Sequence, residues 1–110
     1  MTQETERFRR VDDQNVRDML SQIGMNIWAI SGGRVTRRDT GITLPCGAGY
    51  AVLVDLDPRD TYVVRRVFRR AGTEHEHGER TDVYCTELAE VAYYASCFRS
   101  YDDAEWVTKA

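Results

Sequence analysis

The most regular hydrophobic pattern near the beginning of the chain is that of a helix. Apolar residues recur there at three- and four-residue spacing, at Val16, Met19, Leu20 and Ile23. Asp12 or Asp13 can accept hydrogen bonds from the free N–H groups of a first turn, and Gly24 suits the positive φ of a helix end. We therefore predict a helix near residues 12–24, after a polar segment, residues 1–11, that we interpret as a flexible tail.

A second helical pattern lies near the other end of the chain. Its apolar stripe consists of Leu88, Val91, Ala92, Ala95 and Phe98. Glu87 and Glu90 fall near the expected first turn, where the helix dipole favours negative charge. The pattern predicts a helix near residues 86–99, followed by an acidic C-terminal tail over residues 101–110.

Between the two helices, apolar residues alternate in short runs that turn residues separate. Tyr50, Val52, Val54 and Leu56 fall on one face of a strand, and the longest run, TYVVRRVFRR, covers residues 61–70. Glycines, or an Asp-Pro step, indicate turns at residues 32–33, 40–41, 47–49, 57–60 and 71–73. Short runs joined by tight turns favour antiparallel pairing of strands that are neighbours in sequence.

Residues 25–31, MNIWAIS, allow two interpretations. Their β-prone side chains and the following Gly32-Gly33 pair favour a strand that enters a hairpin. Ile27 and Ile30 nevertheless keep the helical phase of Ile23, which fits a helix that continues through Gly24 at a cost of about 1 kcal/mol relative to alanine. We predict a strand here.

Together these elements predict an α+β fold in one domain, residues 12–100. An antiparallel β-meander of five or six short strands is flanked by an N-terminal and a C-terminal helix, and we expect the helices to cover one face of the sheet.

Length and composition agree with a single domain. The chain has 110 residues, of which 42% are hydrophobic and 30% charged, in the range of globular proteins. No apolar run approaches the ~18 residues of a membrane-spanning helix, and the N-terminus lacks the apolar stretch of a secretory signal. The three cysteines, Cys46, Cys85 and Cys97, are an odd, widely spaced set, which argues against a disulfide framework and favours the cytoplasm.

Charge is unevenly distributed within the net value of −3. Residues 34–70 contain eight arginines and four aspartates, whereas residues 71–110 contain nine acidic residues and three basic ones. An arginine-rich segment favours planar contacts to phosphate or carboxylate groups. The alternating pattern of residues 61–70 places Arg65 and Arg69 on the face opposite the expected core.

The candidate binding patch therefore consists of Arg65 and Arg69, together with Arg37 and Arg38 from an earlier hairpin. Such a patch could contact the phosphates of a nucleic acid. The alternative is a solvated face on which these arginines form ion pairs with the acidic last third of the chain.

Catalytic and metal-binding patterns are weak. His75 and His77 would share one side of a strand, but a zinc site needs three or four ligands, so we interpret the pair as part of a polar strand edge. The sequence lacks the common nucleophile, metalloprotease and nucleotide-binding motifs. We expect a protein without enzymatic activity, metal or cofactor.

Aromatic residues offer a different kind of site. Trp28, Tyr93, Tyr94 and Trp106 could supply an interface with another protein or with a second copy of the chain. The competing interpretation is that these rings fill the core or belong to the tail.

Three stretches carry a family resemblance. LSQIGMNIWAISGGRV at residues 20–35 combines a short helix with a later small-residue turn, and YAVLVDLDPRDTYVVRRVF at residues 50–68 contains an Asp-Thr-Tyr step. TDVYCTELAEVAYYASCF at residues 81–98 joins a Val-Tyr pair, a short turn and a helix. In these features the chain resembles a widespread group of small bacteriophage and mobile-element proteins without an assigned activity, and most of all the versions in phages of actinobacteria.

The resemblance implies a context rather than a set of functional residues. It implies a phage-encoded accessory protein made in the host cytoplasm. We expect such a protein to act by binding a host or phage protein or by self-association. The alternative is a small nucleic-acid-binding module that uses the arginine-rich strand.

Overall fold

A five-stranded antiparallel sheet forms the centre of the computed structural model, which describes residues 7–97 apart from the side chains of His77 and Cys97. The strands are β1 (Thr36–Arg38), β2 (Gly41–Gly47), β3 (Tyr50–Leu56), β4 (Tyr62–Arg70) and β5 (Thr73–Val83). Each strand pairs with its neighbours in sequence, in the order β1-β2-β3-β4-β5. The predicted meander within an α+β fold is confirmed.

Two of the predicted turns are two-residue hairpin turns. Ala48 and Gly49 join β2 to β3 with φ angles of 55° and 86°, and Ala71 and Gly72 join β4 to β5 with φ angles of 53° and 80°. Positive φ at both central residues is the geometry that matches the natural twist of paired strands. The small residues at these positions therefore explain why the chain reverses there.

Both predicted helices are present, and each begins at an acidic residue. Helix α1 (Asp13–Ile23) starts after Asp12, whose carboxylate accepts a hydrogen bond from the Asn15 N–H, while the Asn15 side chain accepts one from the Asp12 N–H. This reciprocal capping satisfies two backbone donors of the first turn. The last helix, Leu88–Cys97, starts after Glu87, whose carboxylate accepts a hydrogen bond from the Tyr84 N–H.

The strand predicted for residues 25–31 is wrong, because residues Asn26–Ser31 form helix α2. The chain turns at Gly24 (φ 60°), so α2 is a new helix and does not continue α1. Its Asn26 side chain donates a hydrogen bond to the Ala89 carbonyl at 3.0 Å, and Ile30 is buried. Packing against the last helix, α3 (Leu88–Cys97), therefore outweighs the strand preference of the segment.

All three helices pack on one face of the sheet, where the main core lies. Val52, Val54 and Leu56, which we predicted for the core side, are buried there, whereas Tyr50 is only half-buried. Each helix also contributes buried apolar residues to this core. This core contains Met19, Ile23, Ile30, Ile42, Leu44, Val52, Val54, Leu56, Tyr62, Val64, Leu88, Val91, Ala92 and Ala95. Among the described residues, no helix combines the length and apolar character needed to cross a membrane.

The opposite face of the sheet, called the open face below, carries a second small apolar cluster of Ala51, Leu53 and Val67. Residues 7–11, which the sequence assigned to a tail, form a strap against the end of the sheet. The Arg9 N–H donates to the Leu56 carbonyl at 2.8 Å, and the Val11 N–H donates to the Asp39 carbonyl at 2.9 Å. The remainder of the predicted tail, residues 1–6, and the acidic segment 101–110 lie outside the described residues.

Candidate functional site

Asp55 is the centre of a buried ion-pair network on the open face. Its side chain is inaccessible to solvent and accepts three short hydrogen bonds. Arg38 Nη1 and Thr40 Oγ1 donate to Oδ1 at 2.8 and 2.7 Å, and Arg65 Nη2 donates to Oδ2 at 2.7 Å. A buried carboxylate needs such partners, because its desolvation would otherwise be prohibitive.

The two arginines of this network are themselves held by further contacts. Arg38 also donates to Thr43 Oγ1 at 2.8 Å and to the Ile42 carbonyl at 2.9 Å, so it connects β1, β2 and β3. The Arg65 guanidinium lies 5.0 Å from the centre of the Phe8 ring, a cation–π contact with the strap. The network therefore links four strands, β1 to β4, with the strap.

The four arginines of the predicted patch do not form one exposed surface. Arg65 lies on the open face, as the alternating pattern predicted, but it is buried rather than exposed. Its guanidinium is covered there by Phe8 of the strap, which the pattern could not show. The structure brings Arg65 and Arg38 together on Asp55, whereas Arg37 forms an ion pair with Asp13 of α1.

Arg69 completes the set through an ion pair with Glu74, in which Nε lies 2.9 Å from the carboxylate. Arg66, which follows Arg65 on β4, is also buried, and its guanidinium lies 4.4 Å from the centre of the Tyr50 ring. Each arginine of the predicted patch thus has a carboxylate partner. Pairing lowers the positive potential that these residues can offer to a polyanion.

The sequence analysis missed Asp55 as a site residue. A signal was present, because Asp55 alternates with Ala51 and Leu53 and so shares the face of Arg65 across the β3–β4 pair. A lone acid within a buried apolar strand indicates a paired charge.

A second charged group lies where the strap meets β5. Arg7 Nη1 is 2.6 Å from Glu79 Oε1, and the hydrogen bond to Glu79 raises the pKa of Arg7. Burial, followed by the charge of Glu79, raises the pKa of the neighbouring Glu76 carboxyl. Phe8 lies between the guanidinium groups of Arg7 and Arg65, at 4.7 and 5.0 Å from its ring centre. Charge therefore helps to dock the strap.

The histidine pair does not belong to a recognisable metal centre. His75 lies on β5, opposite Phe68 of β4. The register shifts next to His77, whose side chain is outside the described set. Within residues 7–97, no group of three or more His, Cys, Asp or Glu side chains is placed to hold a metal ion. Of the thiols, Cys46 is half-buried and Cys85 is exposed.

Among the described residues, four of the five large exposed apolar side chains lie on α2 or α3 or directly before α2. We define the helix-layer surface by Met25, Trp28, Tyr93 and Tyr94, which are 83%, 68%, 40% and 43% exposed. The hydrogen bond from Asn26 to Ala89 holds the start of α2 against α3, and Tyr93 follows Ala89 by one helical turn. The Trp28 ring rests on the backbone of Gly33, where an added Cβ would lie 2.8 Å away.

Three of the predicted interface aromatics therefore belong to the helix-layer surface, and the fourth, Trp106, lies outside the described residues. Met25 was missed, because the strand prediction for residues 25–31 hid its position at the start of a helix. Exposed apolar residues that cluster, rather than scatter, are typical of interaction sites.

No protein-family model, curated protein or solved structure matches this chain, so functional interpretation depends on its own geometry.

Proposed function

We propose that this chain is a phage-encoded, non-enzymatic accessory protein of the host cytoplasm that binds another protein through the helix-layer surface. The observation that supports this proposal most is the exposure of Trp28 together with Met25, Tyr93 and Tyr94 on adjoining helices. The phage context and the compartment derive from the sequence resemblance alone.

The chemistry of the helix-layer surface favours a protein partner. Tryptophan and tyrosine bury a large area at a small cost in side-chain entropy and are enriched among the residues that dominate binding energy. The core on the sheet side is filled without them, since Val91, Ala92 and Ala95 supply the buried stripe of α3. The exposed rings are therefore not needed to fill that core.

Self-association through the same surface is the main variant of this proposal. A pair of identical apolar patches related by a two-fold axis is self-complementary, and that is the commonest arrangement in homodimers. Static light scattering over a range of concentrations distinguishes a dimer from a monomer that binds a different protein.

The test compares two single variants of exposed aromatic residues. We expect Trp28→Ala to abolish dimerisation, or capture of a defined partner, whereas Tyr84→Ala preserves it. Tyr84 is a matched control, because it is 60% exposed and lies at the junction of β5 and α3, outside the helix-layer surface. Loss of more than about 2 kcal/mol of binding energy is typical of a central aromatic residue.

The proposal fails if the wild-type chain is monomeric and retains no partner, or if Trp28→Ala and Tyr84→Ala bind equally well. Circular dichroism of both variants shows whether their folds are preserved. A partner that is captured equally by both variants does not use the helix-layer surface.

Nucleic-acid binding through Arg37, Arg38, Arg65 and Arg69 has less support. Asp13, Asp55 and Glu74 neutralise these arginines, and Arg65 is buried. A titration with duplex and single-stranded DNA at ~50 mM salt tests this alternative, since phosphate contacts are strongest at low ionic strength. Salt-dependent binding that Arg69→Glu removes would favour the nucleic-acid module over the protein-binding role.

A further inference from the structure

A small cavity opens where the sheet meets the segment that follows α2. Its volume is about 200 Å³, and it lies beside the hairpin that joins β2 to β3. Its mainly apolar lining, called the floor below, consists of Pro45, Gly47, Gly49, Tyr50 and Ala51, and the two charged lining residues are Arg34 and Arg69. Pro45 and Ala51 are paired across the two strands, so the floor is part of the rigid sheet.

Arg34 is held in place by the end of α2. Its N–H and its Nε both donate to the Ser31 carbonyl, at 3.3 and 3.1 Å, and the buried Ser31 hydroxyl donates to the Arg34 carbonyl at 2.6 Å. These contacts occupy the backbone and Nε of Arg34. Within the described part of the chain, no acidic side chain forms an ion pair with its terminal nitrogens.

Arg69 is anchored in a similar way on the other side of the floor. Its N–H donates to the Gly49 carbonyl at 2.8 Å, and its Nε donates to Glu74 at 2.9 Å. A guanidinium has five N–H donors, so this ion pair leaves the terminal nitrogens of Arg69 with donor capacity. Two arginines that are fixed through Nε thus border one apolar floor.

We propose that this cavity binds a compact organic anion: a carboxylate or phosphate group carried by a flat apolar body of about the size of a benzene ring. Guanidinium groups form their strongest hydrogen bonds with such anions, often in a paired geometry. A cavity of on the order of 150 Å³ is large enough for benzene, so the volume here suits one ring and its headgroup. Glu74 reduces the positive charge at Arg69, and therefore Arg34 supplies most of the attraction.

The test is a titration of the full chain with benzoate and with phenyl phosphate, followed by amide chemical shifts. We expect saturable binding that shifts the amides of Gly49 and Ala51. Benzyl alcohol, which has the ring without the charge, should bind about tenfold more weakly or worse, because it lacks charge-assisted hydrogen bonds. Tighter binding of benzoate identifies a carboxylate ligand, and tighter binding of phenyl phosphate identifies a phosphate ester.

Arg34→Gln should weaken binding by roughly tenfold, the loss expected for one charge-assisted contact, and Arg69→Gln should weaken it by less, because Glu74 already reduces the charge of Arg69. Arg70→Gln is the matched control, since Arg70 is exposed and adjacent in sequence but does not line the cavity. All three substitutions replace exposed residues, so thermal melting should show folded proteins.

The proposal is wrong if no saturable binding is found up to ~10 mM ligand, or if Arg34→Gln binds as tightly as wild type. It is also wrong if benzyl alcohol binds as tightly as the two anions. Inorganic phosphate that binds as tightly as phenyl phosphate would also contradict it, because the apolar floor would then contribute nothing. These outcomes are independent of Trp28 and of any protein partner.

Discussion

Asp55 is a carboxylate without solvent contact that receives hydrogen bonds from Arg38, Arg65 and Thr40. Removal of one partner from a buried ion pair is more damaging than replacement of the whole pair by apolar residues, because the remaining charge has no compensation. Here the same carboxylate is paired with two guanidiniums. The structure therefore makes Asp55 the most sensitive charged position of the open face.

We predict that Asp55→Asn lowers the free energy of unfolding by about 3–5 kcal/mol, the range found when a buried pair is broken. Urea denaturation followed by circular dichroism measures the change. Asp13→Asn is the control, because it breaks the exposed ion pair with Arg37 and should have a much smaller effect. Equal losses in the two variants would show that the Asp55 network contributes little.

The stability of the folded protein should depend on pH through the Glu76 carboxyl. Its pKa is raised in the folded state, by burial first and by Glu79 second. The folded protein thus binds more protons than the unfolded chain as the pH rises from about 4.5, and stability decreases over that interval. Glu76→Gln removes this ionisation, so we expect its melting temperature to exceed that of wild type at pH 7 and the difference to shrink toward pH 4.

Asp13 offers a control of opposite sign for the same experiment. The hydrogen bond from Arg37 lowers its pKa, so the ionised carboxylate stabilises the folded state above the ordinary pKa of aspartate. Asp13→Asn should therefore be less stable than wild type at pH 7, with the deficit disappearing as the pH falls through the folded pKa. Melting curves from pH 3 to pH 7 measure both variants. If Glu76→Gln and Asp13→Asn were both more stable than wild type at pH 7, or both less stable, the two pKa directions would be contradicted.

At the scale of elements, Gly41 of β2 pairs with Asp55 of β3 and lies close to the β3 backbone. A Cβ at Gly41 would lie 1.8 Å from the Val54 carbonyl oxygen, an impossible contact with backbone. We predict that Gly41→Ala lowers the free energy of unfolding by about 3 kcal/mol or more, because strand separation would also disturb the Asp55 network.

Gly32→Ala separates this steric effect from an effect of backbone conformation. Gly32 ends α2 at φ 65°, but an added Cβ would meet no atom within 4 Å. Its substitution should cost only about 1–2 kcal/mol, the strain of a left-handed alanine. Denaturation curves that rank the two variants in the reverse order would rule out the close approach at Gly41.

The elements that the sequence predicted correctly depend on contacts close in sequence. The capping residues Asp12 and Gly24 mark both ends of α1, and the Ala48-Gly49 turn joins adjacent strands. Helix α2 was missed because its position depends on the contact of Asn26 with Ala89, 63 residues later. No local pattern can show that contact, so strand propensity misled the prediction for residues 25–31.

At the scale of the whole molecule, the two faces of the sheet are covered in different ways. Apolar helices cover one face, whereas the strap and the paired charges of Arg38, Asp55 and Arg65 cover much of the other. Alternation along β4 predicted which way Arg65 faces, but an alternating pattern contains no information about what lies over a face. The helix-layer surface and the proposed anion cavity share no lining residue and can be tested separately.

The meander order of the strands also has a consequence for the time course of folding. Hairpins between sequence neighbours close short loops and form in about 1–10 μs, whereas distant contacts require slower loop closure. The sheet can therefore assemble in the order in which a ribosome releases the strands. The bond of Arg9 to Leu56 and the contact of Asn26 with Ala89 join distant parts of the chain, so we expect both to form late. Until α3 arrives, the helix-side core remains open, so the nascent chain exposes a large apolar area until that helix is released.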